Sequence, residues 1–263
     1  MKTIVHTLGY NIPDLIEEAT ESLRKKNKGF DYTHVIADLG YPLNNGRATW
    51  ADVPQHIEIS KKNNLYSNAQ IASSYGSDLV KFNNRGVSGN WTTIANLYEI
   101  KDGDVLIGAD PDERPMDNGW VKAMSEVMRG DPNIAICSLM LPELMALEGF
   151  YENYILGEQI INGHRVWYGK NMCQWALIGI SGRFISRVGR VPSPEIAPLY
   201  GWIETACDAF MKMHGMSWVM LPDFRVQHIA SSPLAQEWKN FVVTEDAMNA
   251  GQVDFETWLR EKY

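Results

Sequence analysis

Along the first half of the chain, short continuous apolar runs alternate with stretches whose apolar positions fall three and four residues apart. The first run, Thr3 to Leu8, reads as a buried strand and ends at Gly9-Tyr10-Asn11. Pro13 then opens a helix with Leu15, Ile16, Ala19 and Leu23 on its apolar face and charge elsewhere. Tyr32 to Ala37 predicts a second strand closing on Asp38, and the polar, turn-rich stretch from Gly40 to Pro54 predicts a loop. Asn68 to Tyr75 predicts a helix and Asp78 to Phe82 a third strand. After Asn83-Asn84-Arg85-Gly86, Ser88 is the expected cap of a helix running to about Ile100. A fourth run, from Asp104 to Ala109, breaks off into Asp110-Pro111-Asp112. Strands alternating with helices in this way predict an α/β fold with a mostly parallel sheet.

The second half has another texture. Ile134 to Leu141 predicts a strand, and Pro142 to Ile161 a helical or irregular stretch. Arg165 to Tyr168 and Gln174 to Ile180 predict antiparallel strands. Gly201 to His214 predicts a helix ended by Gly215. Ser217 to Leu221 and Phe224 to His228 predict two short strands separated by Pro222-Asp223. The tail from Ser231 is amphipathic, with Trp238, Phe241, Phe255 and Trp258 available for packing. No linker or internal repeat divides the chain.

Composition narrows the possibilities. A chain of 263 residues with 45% hydrophobic content can bury a substantial core as one domain or two closely joined lobes. A formal charge of −8 disfavours non-specific binding to nucleic acid or to an anionic membrane. Cys137, Cys173 and Cys207 are widely spaced and form no CxxC pair, which argues against a disulfide framework or zinc site and fits a reducing compartment. No long apolar stretch marks a signal peptide or membrane span, so the expected location is the cytoplasm.

In open parallel sheets, ligands sit beyond the carboxyl ends of the strands. Tyr10, Asp38, Gly86, Asp110 and Asp112 all fall at that edge. Asp-x-Asp is a weak motif alone, and a second copy, Asp102-Gly103-Asp104, lies before its strand and reads as turn chemistry. What distinguishes Asp110-Pro111-Asp112 is its place after a buried strand, with a proline stiffening the turn. Two carboxylates held so can bind a hard divalent cation, which in turn can hold a diphosphate.

In this order the motifs resemble those of the GT-A glycosyltransferases, particularly the family 2-like branch, over about residues 2–230. The resemblance rests on Gly9-Tyr10-Asn11, Asp38, Asn84-Arg85-Gly86, Asp110-Pro111-Asp112 with Glu113 and Pro115, the turn and short helix Gly182 to Gly189, Tyr200-Gly201-Trp202-Ile203-Glu204, and His228. It implies a GT-A fold with a nucleotide-sugar half at residues 1–130 and a smaller, partly antiparallel acceptor half at 131–230. The tail, 231–263, is expected to be helical and to pack on the same domain. Implied donor contacts are Leu8, Tyr10, Asp38, Arg85, Gly86 and Asp110; implied ligands for Mn²⁺ or Mg²⁺ are Asp110, Asp112 and His228; Trp202 faces the acceptor. The chain departs from the family pattern at Thr205, where an aspartate is usual, and near Trp91, where an arginine is common.

The implied reaction is metal-dependent transfer of a sugar from a nucleotide donor, a UDP-sugar by expectation, to an acceptor hydroxyl. Glu204 is the expected general base, and Asp208, one helical turn further on the same side, is the second expected catalytic carboxylate, both facing one cleft. The ordinary alternative for Glu204 is a helix-N-terminal acid favoured by the macrodipole, and for His228 a surface or core histidine. A retaining displacement is the alternative route if Thr205 leaves no base in place. Two other functions stand beside this one: a nucleotidyltransferase on a similar sheet, and a non-catalytic carbohydrate-binding protein of the same fold. A glycan, a protein, a small molecule or a modified nucleic-acid base could each present the hydroxyl.

Overall fold

The computed structural model describes residues 1–9, 13–40, 67–83, 86–172, 174, 176–192 and 203–228; for Pro13, Asp14, Leu39, Gly40, Asn83, Gly86, Thr205 and His228 it describes the backbone alone. The expected loop from Gly40 to Pro54 lies almost wholly outside these residues, and the tail 231–263 lies wholly outside them.

Six elements build the first half of the sheet: β1 (Thr3–Gly9), α1 (Pro13–Lys26), β2 (Thr33–Gly40), α2 (67–75), β3 (Asp78–Asn83) and α3 (Gly86–Leu97). They are followed by β4 (Val105–Gly108), β5 (Glu113–Pro115), α4 (Trp120–Gly130) and β6 (Ile134–Met140). Then come α5 (Pro142–Met145), α6 (Phe150–Tyr154), β7 (Ile155–Ile161), β8 (His164–Gly169), β9 (Ile178–Ser181), α7 (Gly182–Val188), α8 (Ile203–Met213) and β10 (Ser217–His228). Among the described residues the strands form one sheet in the order β3-β2-β1-β4-β9-β6-β10-β8-β7, with β5 pairing onto β10.

β1, β2, β3 and β4 are mutually parallel, and β6 is parallel to β10. β9 lies between β4 and β6 and is antiparallel to both, so β4 and β6 point the same way. The carboxyl ends of β1, β2, β3, β4, β6 and β10 therefore share one rim, where the amino end of β9 also lies. The sheet crosses residue 130 without a break, so the two expected halves share a single framework.

Strands covered on both faces read as unbroken apolar runs. β4 and β6 are buried at every position, and Ile36, Leu106 and Ile107 of β2 and β4 are fully enclosed. Each such side chain contributes about 1.5–3 kcal/mol relative to exposure. On one face α4 packs Trp120, Met124 and Val127 against the sheet; on the other α3 packs Trp91 and Ile94, and α8 packs Ile203, Cys207 and Met211. The spacing of those α8 residues places Glu204 and Asp208 on an adjoining stripe.

Several boundaries differ from expectation. Asp38 lies inside β2 rather than after it, opposite Gly9 of β1. α3 begins at Gly86, so Ser88 sits within the helix, where its hydroxyl donates to the Val191 carbonyl. The Pro142–Ile161 stretch holds two short helices and then β7, which forms the sheet's edge. The strand expected from Gln174 begins only at Ile178. The two strands expected around Pro222-Asp223 are one, β10, whose register against β6 shifts between Leu221 and Arg225. A bulge there accommodates the proline's missing N–H.

Candidate active site

The Asp110-Pro111-Asp112 turn is built by backbone bonds and one buried side chain. Ala109 N–H donates to the His6 carbonyl (2.9 Å), which extends the β1–β4 pairing to the lip of the rim. The Glu113 N–H then donates to the Asp110 carbonyl (3.0 Å), closing a four-residue turn with Asp first and Pro second, the residues such turns prefer. The Asp110 N–H donates in return to Glu113 Oε2 (3.0 Å). Arg114 braces the outer side, donating to the carbonyls of Pro111, Glu113 and Leu15 and pairing with Glu18 (3.0 Å). Asp110 is half-buried and Asp112 is 8% exposed.

Beneath the turn, the helix that follows the expected Asn-x-Gly segment contributes Trp91 as core. A Cβ on Gly108 would lie 2.1 Å from Trp91 Cζ2, so the strand end can pass this ring only as glycine. Trp91 also meets the buried His6 ring edge-on, with centroids 4.4 Å apart. Burial holds the His6 imidazole neutral, its pKa lowered to about 3.

β10 brings the other candidate ligand to the turn. It pairs antiparallel with β5, placing His228 opposite Glu113, one residue from Asp112. This juxtaposes the backbones of Asp112 and His228; the His228 side chain is outside the description. Among the described residues no three His, Cys, Asp or Glu side chains cluster closely enough to hold a metal ion. The available donor set, two carboxylates and a possible imidazole, has the chemistry suited to Mg²⁺ or Mn²⁺.

The remaining predicted residues divide by position. Leu8 lies near the carboxyl end of β1, and Asp38 lies within β2, 1% exposed. Gly86 starts α3 after β3. Tyr10, Asn84, Arg85 and Trp202 lie outside the described residues. α8 is joined to the start of β10 by a short turn, so it runs antiparallel to that strand and its amino end, with half-buried Glu204, is directed to the rim. Asp208 lies a turn deeper, its Oδ2 paired with Lys212 (2.6 Å) and its Oδ1 accepting from Met172 N–H (3.3 Å). The other Asp-x-Asp is turn structure: Asp104 accepts from the Lys2 and Lys101 amides (2.6 and 3.0 Å), and Asp102 pairs with Arg183.

Two residues at the rim escaped the sequence reading. Asn68, near the start of α2, is fully buried with no hydrogen-bond partner for either carboxamide atom, and a Cβ on Gly9 would lie 2.8 Å from its Nδ2. Glu113, noted only as part of a motif, is 2% exposed and bonds two distant segments. Neither has a local signal beyond its residue type.

An open, mostly parallel sheet with an antiparallel wedge, and an acidic turn at the carboxyl end of β4, defines an open-sheet α/β architecture. Within that class the chain has the GT-A fold. It superposes on GalNAc-T7, solved with UDP, GalNAc and Mn²⁺, with a TM-score of 0.57 and 11% identity over 99% of this chain and 54% of that one. This chain thus spans about half the length of that structure. A mycobacterial protein superposes with a TM-score of 0.51 and 15% identity, covering 96% of this chain and 76% of that one. Glucosyl-3-phosphoglycerate synthase from Mycobacterium tuberculosis gives 0.49 at 15% identity, covering 97% and 81%. No protein-family model and no curated protein sequence matches the chain. The first two superpositions establish the fold alone, because at these identities a shared fold does not carry a shared activity.

Proposed function

We propose that this chain is a metal-dependent glycosyltransferase that moves a sugar from a nucleotide donor, a UDP-sugar, to an acceptor hydroxyl. The observation that carries the reading is the β5–β10 pairing, which brings His228 opposite Glu113 beside a rigid Asp110-Pro111-Asp112 turn. The GT-A fold, and the UDP and Mn²⁺ named for the GalNAc-T7 structure, support it.

Asp110, Asp112 and His228 are the residues that would hold Mn²⁺ or Mg²⁺. When bound, the ion supplies neutralisation of the negative charge that develops on the departing diphosphate. We assign Leu8, Tyr10 and Asp38 to the nucleobase, with Asp38 as hydrogen-bond acceptor. We assign Arg85 and Gly86 to the phosphates, Arg85 through its charge and Gly86 through its backbone. We assign Trp202, which precedes Glu204 closely in the sequence, to the acceptor.

Glu204 takes the proton from the acceptor hydroxyl. The freed oxygen forms its bond to the anomeric carbon as the bond from that carbon to the diphosphate oxygen breaks, and the configuration inverts. Asp208 already engages Lys212 and the Met172 amide, so we assign it to holding α8 against the 171–172 segment rather than to proton transfer. The buried free thiols Cys137 and Cys207 fit action in a reducing compartment, and no described helix is long and apolar enough to cross a membrane.

The test is a panel of nucleotide sugars with and without Mn²⁺, read by UDP release. Glu204→Gln is expected to abolish transfer while UDP still binds, and Asp112→Ala to abolish metal-dependent donor hydrolysis. Release of pyrophosphate in place of UDP would identify a nucleotidyltransferase. Absence of any metal-dependent turnover would leave a carbohydrate-binding protein.

A further inference from the structure

Glu113 has no part in the chemistry just described, yet it ties three segments of the rim together. Its carboxylate is buried and accepts two backbone N–H groups from opposite halves of the chain. Oε2 accepts from Asp110, the first residue of the acidic turn (3.0 Å). Oε1 accepts from Leu177 (2.9 Å), the residue that leads into β9. Leu177 has φ +42°, a left-handed conformation that a branched side chain adopts only under constraint. Its carbonyl accepts in turn from Leu139 N–H at the end of β6 (3.3 Å), whose own carbonyl receives the Gln174 side chain. The backbone of Glu113 meanwhile pairs with His228. One residue thus joins the acidic turn, the carboxyl end of β10 and the amino end of the antiparallel wedge.

We propose that Glu113 is a positioning residue for the cation site. Its carboxylate locks the Asp110 amide and the Leu177 amide into one frame, and that frame sets the distance between Asp110-Pro111-Asp112 and His228. A buried carboxylate suits this task because both of its oxygens accept, and charge-assisted bonds to backbone N–H are short and directional. Glutamine keeps the length but offers one acceptor, and its NH₂ would face a second N–H. The inference rests on the proposed function, since it assigns a role towards the ion that function requires.

The experiment is a titration of Mn²⁺ in the presence of saturating UDP, read by calorimetry on wild type, Glu113→Gln, Glu113→Asp and Arg129→Ala. Arg129 serves as the structural control because it binds the Lys2 and Gly103 carbonyls near the start of β1 and the turn before β4, away from the rim. Thermal unfolding is measured on each protein alongside. Glu113→Gln and Glu113→Asp are expected to raise the Mn²⁺ half-saturation concentration at least tenfold while still unfolding cooperatively. Arg129→Ala is expected to lower Tm with the half-saturation concentration unchanged. A folded Glu113→Gln protein with wild-type Mn²⁺ affinity overturns the proposal. So does failure of both Glu113 variants to fold, which would make the residue a requirement of the fold alone. If wild type itself binds no Mn²⁺ with UDP, the proposed function fails first and takes this inference with it, an outcome distinct from the other two.

Discussion

Acid should unfold this protein earlier than its carboxylates alone would dictate, because two histidines are buried in the neutral form. His6 is wholly enclosed in β1 with both ring nitrogens unpartnered, and burial lowers its pKa to about 3. His34 in β2 is lowered to about 3 as well, first by burial, then by the charge of Arg24, and last by repulsion from His6 where that ring takes up a proton. Its Nε2 meets Thr7 Oγ1 (3.2 Å) and its Nδ1 meets Ser77 Oγ (2.8 Å), bonds that serve the neutral ring. The sign follows from linkage. The unfolded chain takes up protons on these groups below about pH 6.5, which the folded chain refuses until about pH 3, so stability is complete above pH 6.5 and falls steadily below it. From pH 7 to pH 5 each histidine removes about 2 kcal/mol, a sizeable share of the ~5–15 kcal/mol typical of a domain. Few carboxylates titrate in that interval, so the histidines dominate it. Urea unfolding followed by circular dichroism at pH 7, 6 and 5 reads the loss directly. His6→Leu surrenders no hydrogen bond and should cut the loss between pH 7 and pH 5 by about half. A His6→Leu protein as acid-sensitive as wild type would refute the reasoning, and so would a wild-type stability that is flat over this range.

Other outcomes follow from the packing around the rim. Gly108→Ala drives a methyl into Trp91 and should cost about 1–3 kcal/mol in urea unfolding. In a double-mutant cycle with Trp91→Leu, the two changes should couple by more than ~0.5 kcal/mol; additivity would show that the ring is not the obstacle. Asn68→Leu removes a buried amide that makes no bond, so its stability should stay level or rise by about 1 kcal/mol, and a clear loss would reveal a partner for the amide. Asp208→Asn should lower Tm by a few degrees yet keep most UDP release, whereas a loss as complete as that of Glu204→Gln would move Asp208 into the chemistry.

The parts of the fold that could be read from the chain are those where one local rule suffices. β1, β2, β4 and β6 are enclosed on both faces, and enclosure writes itself as an unbroken apolar run. The acidic turn was legible for the same reason, since Asp then Pro then Asp after such a run is turn chemistry at a strand end. β7 was hidden because it is an edge strand: Leu156 and Ile160 are 70% and 66% exposed, so apolar and buried do not coincide there. β5 carries no strand signal in Glu-Arg-Pro and exists only because β10 lies beside it. Pro222 reads as a break locally, yet the pairings on either side carry β10 through it. Glu204 is proposed from its motif alone, while the engagement of Asp208 with Met172 depends on a segment over thirty residues away. Tyr10, Arg85 and Trp202 stay at the stage of expectation, because they fall outside the described residues.

The architecture also explains why the acidic turn should be stiff before any ligand arrives. Carboxylates gathered at one rim repel each other, so a turn held only by packing would splay, and a cation would then have to reorganise it at a cost in affinity. Here the turn is closed from both sides by bonds to backbone amides and carbonyls, with Pro111 fixing one torsion, Arg114 bracing the outside and Glu113 the inside. Beside its bond to Asp110, Glu113 has a second partner in the later half of the chain, Leu177, at the amino end of β9, which runs against both of its neighbours in the middle of the sheet. That wedge is what lets a residue from the second half reach the rim of the first. The antiparallel strand is therefore more than a topological detail: it carries the constraint by which the half that would hold the acceptor fixes the geometry of the half that would hold the donor.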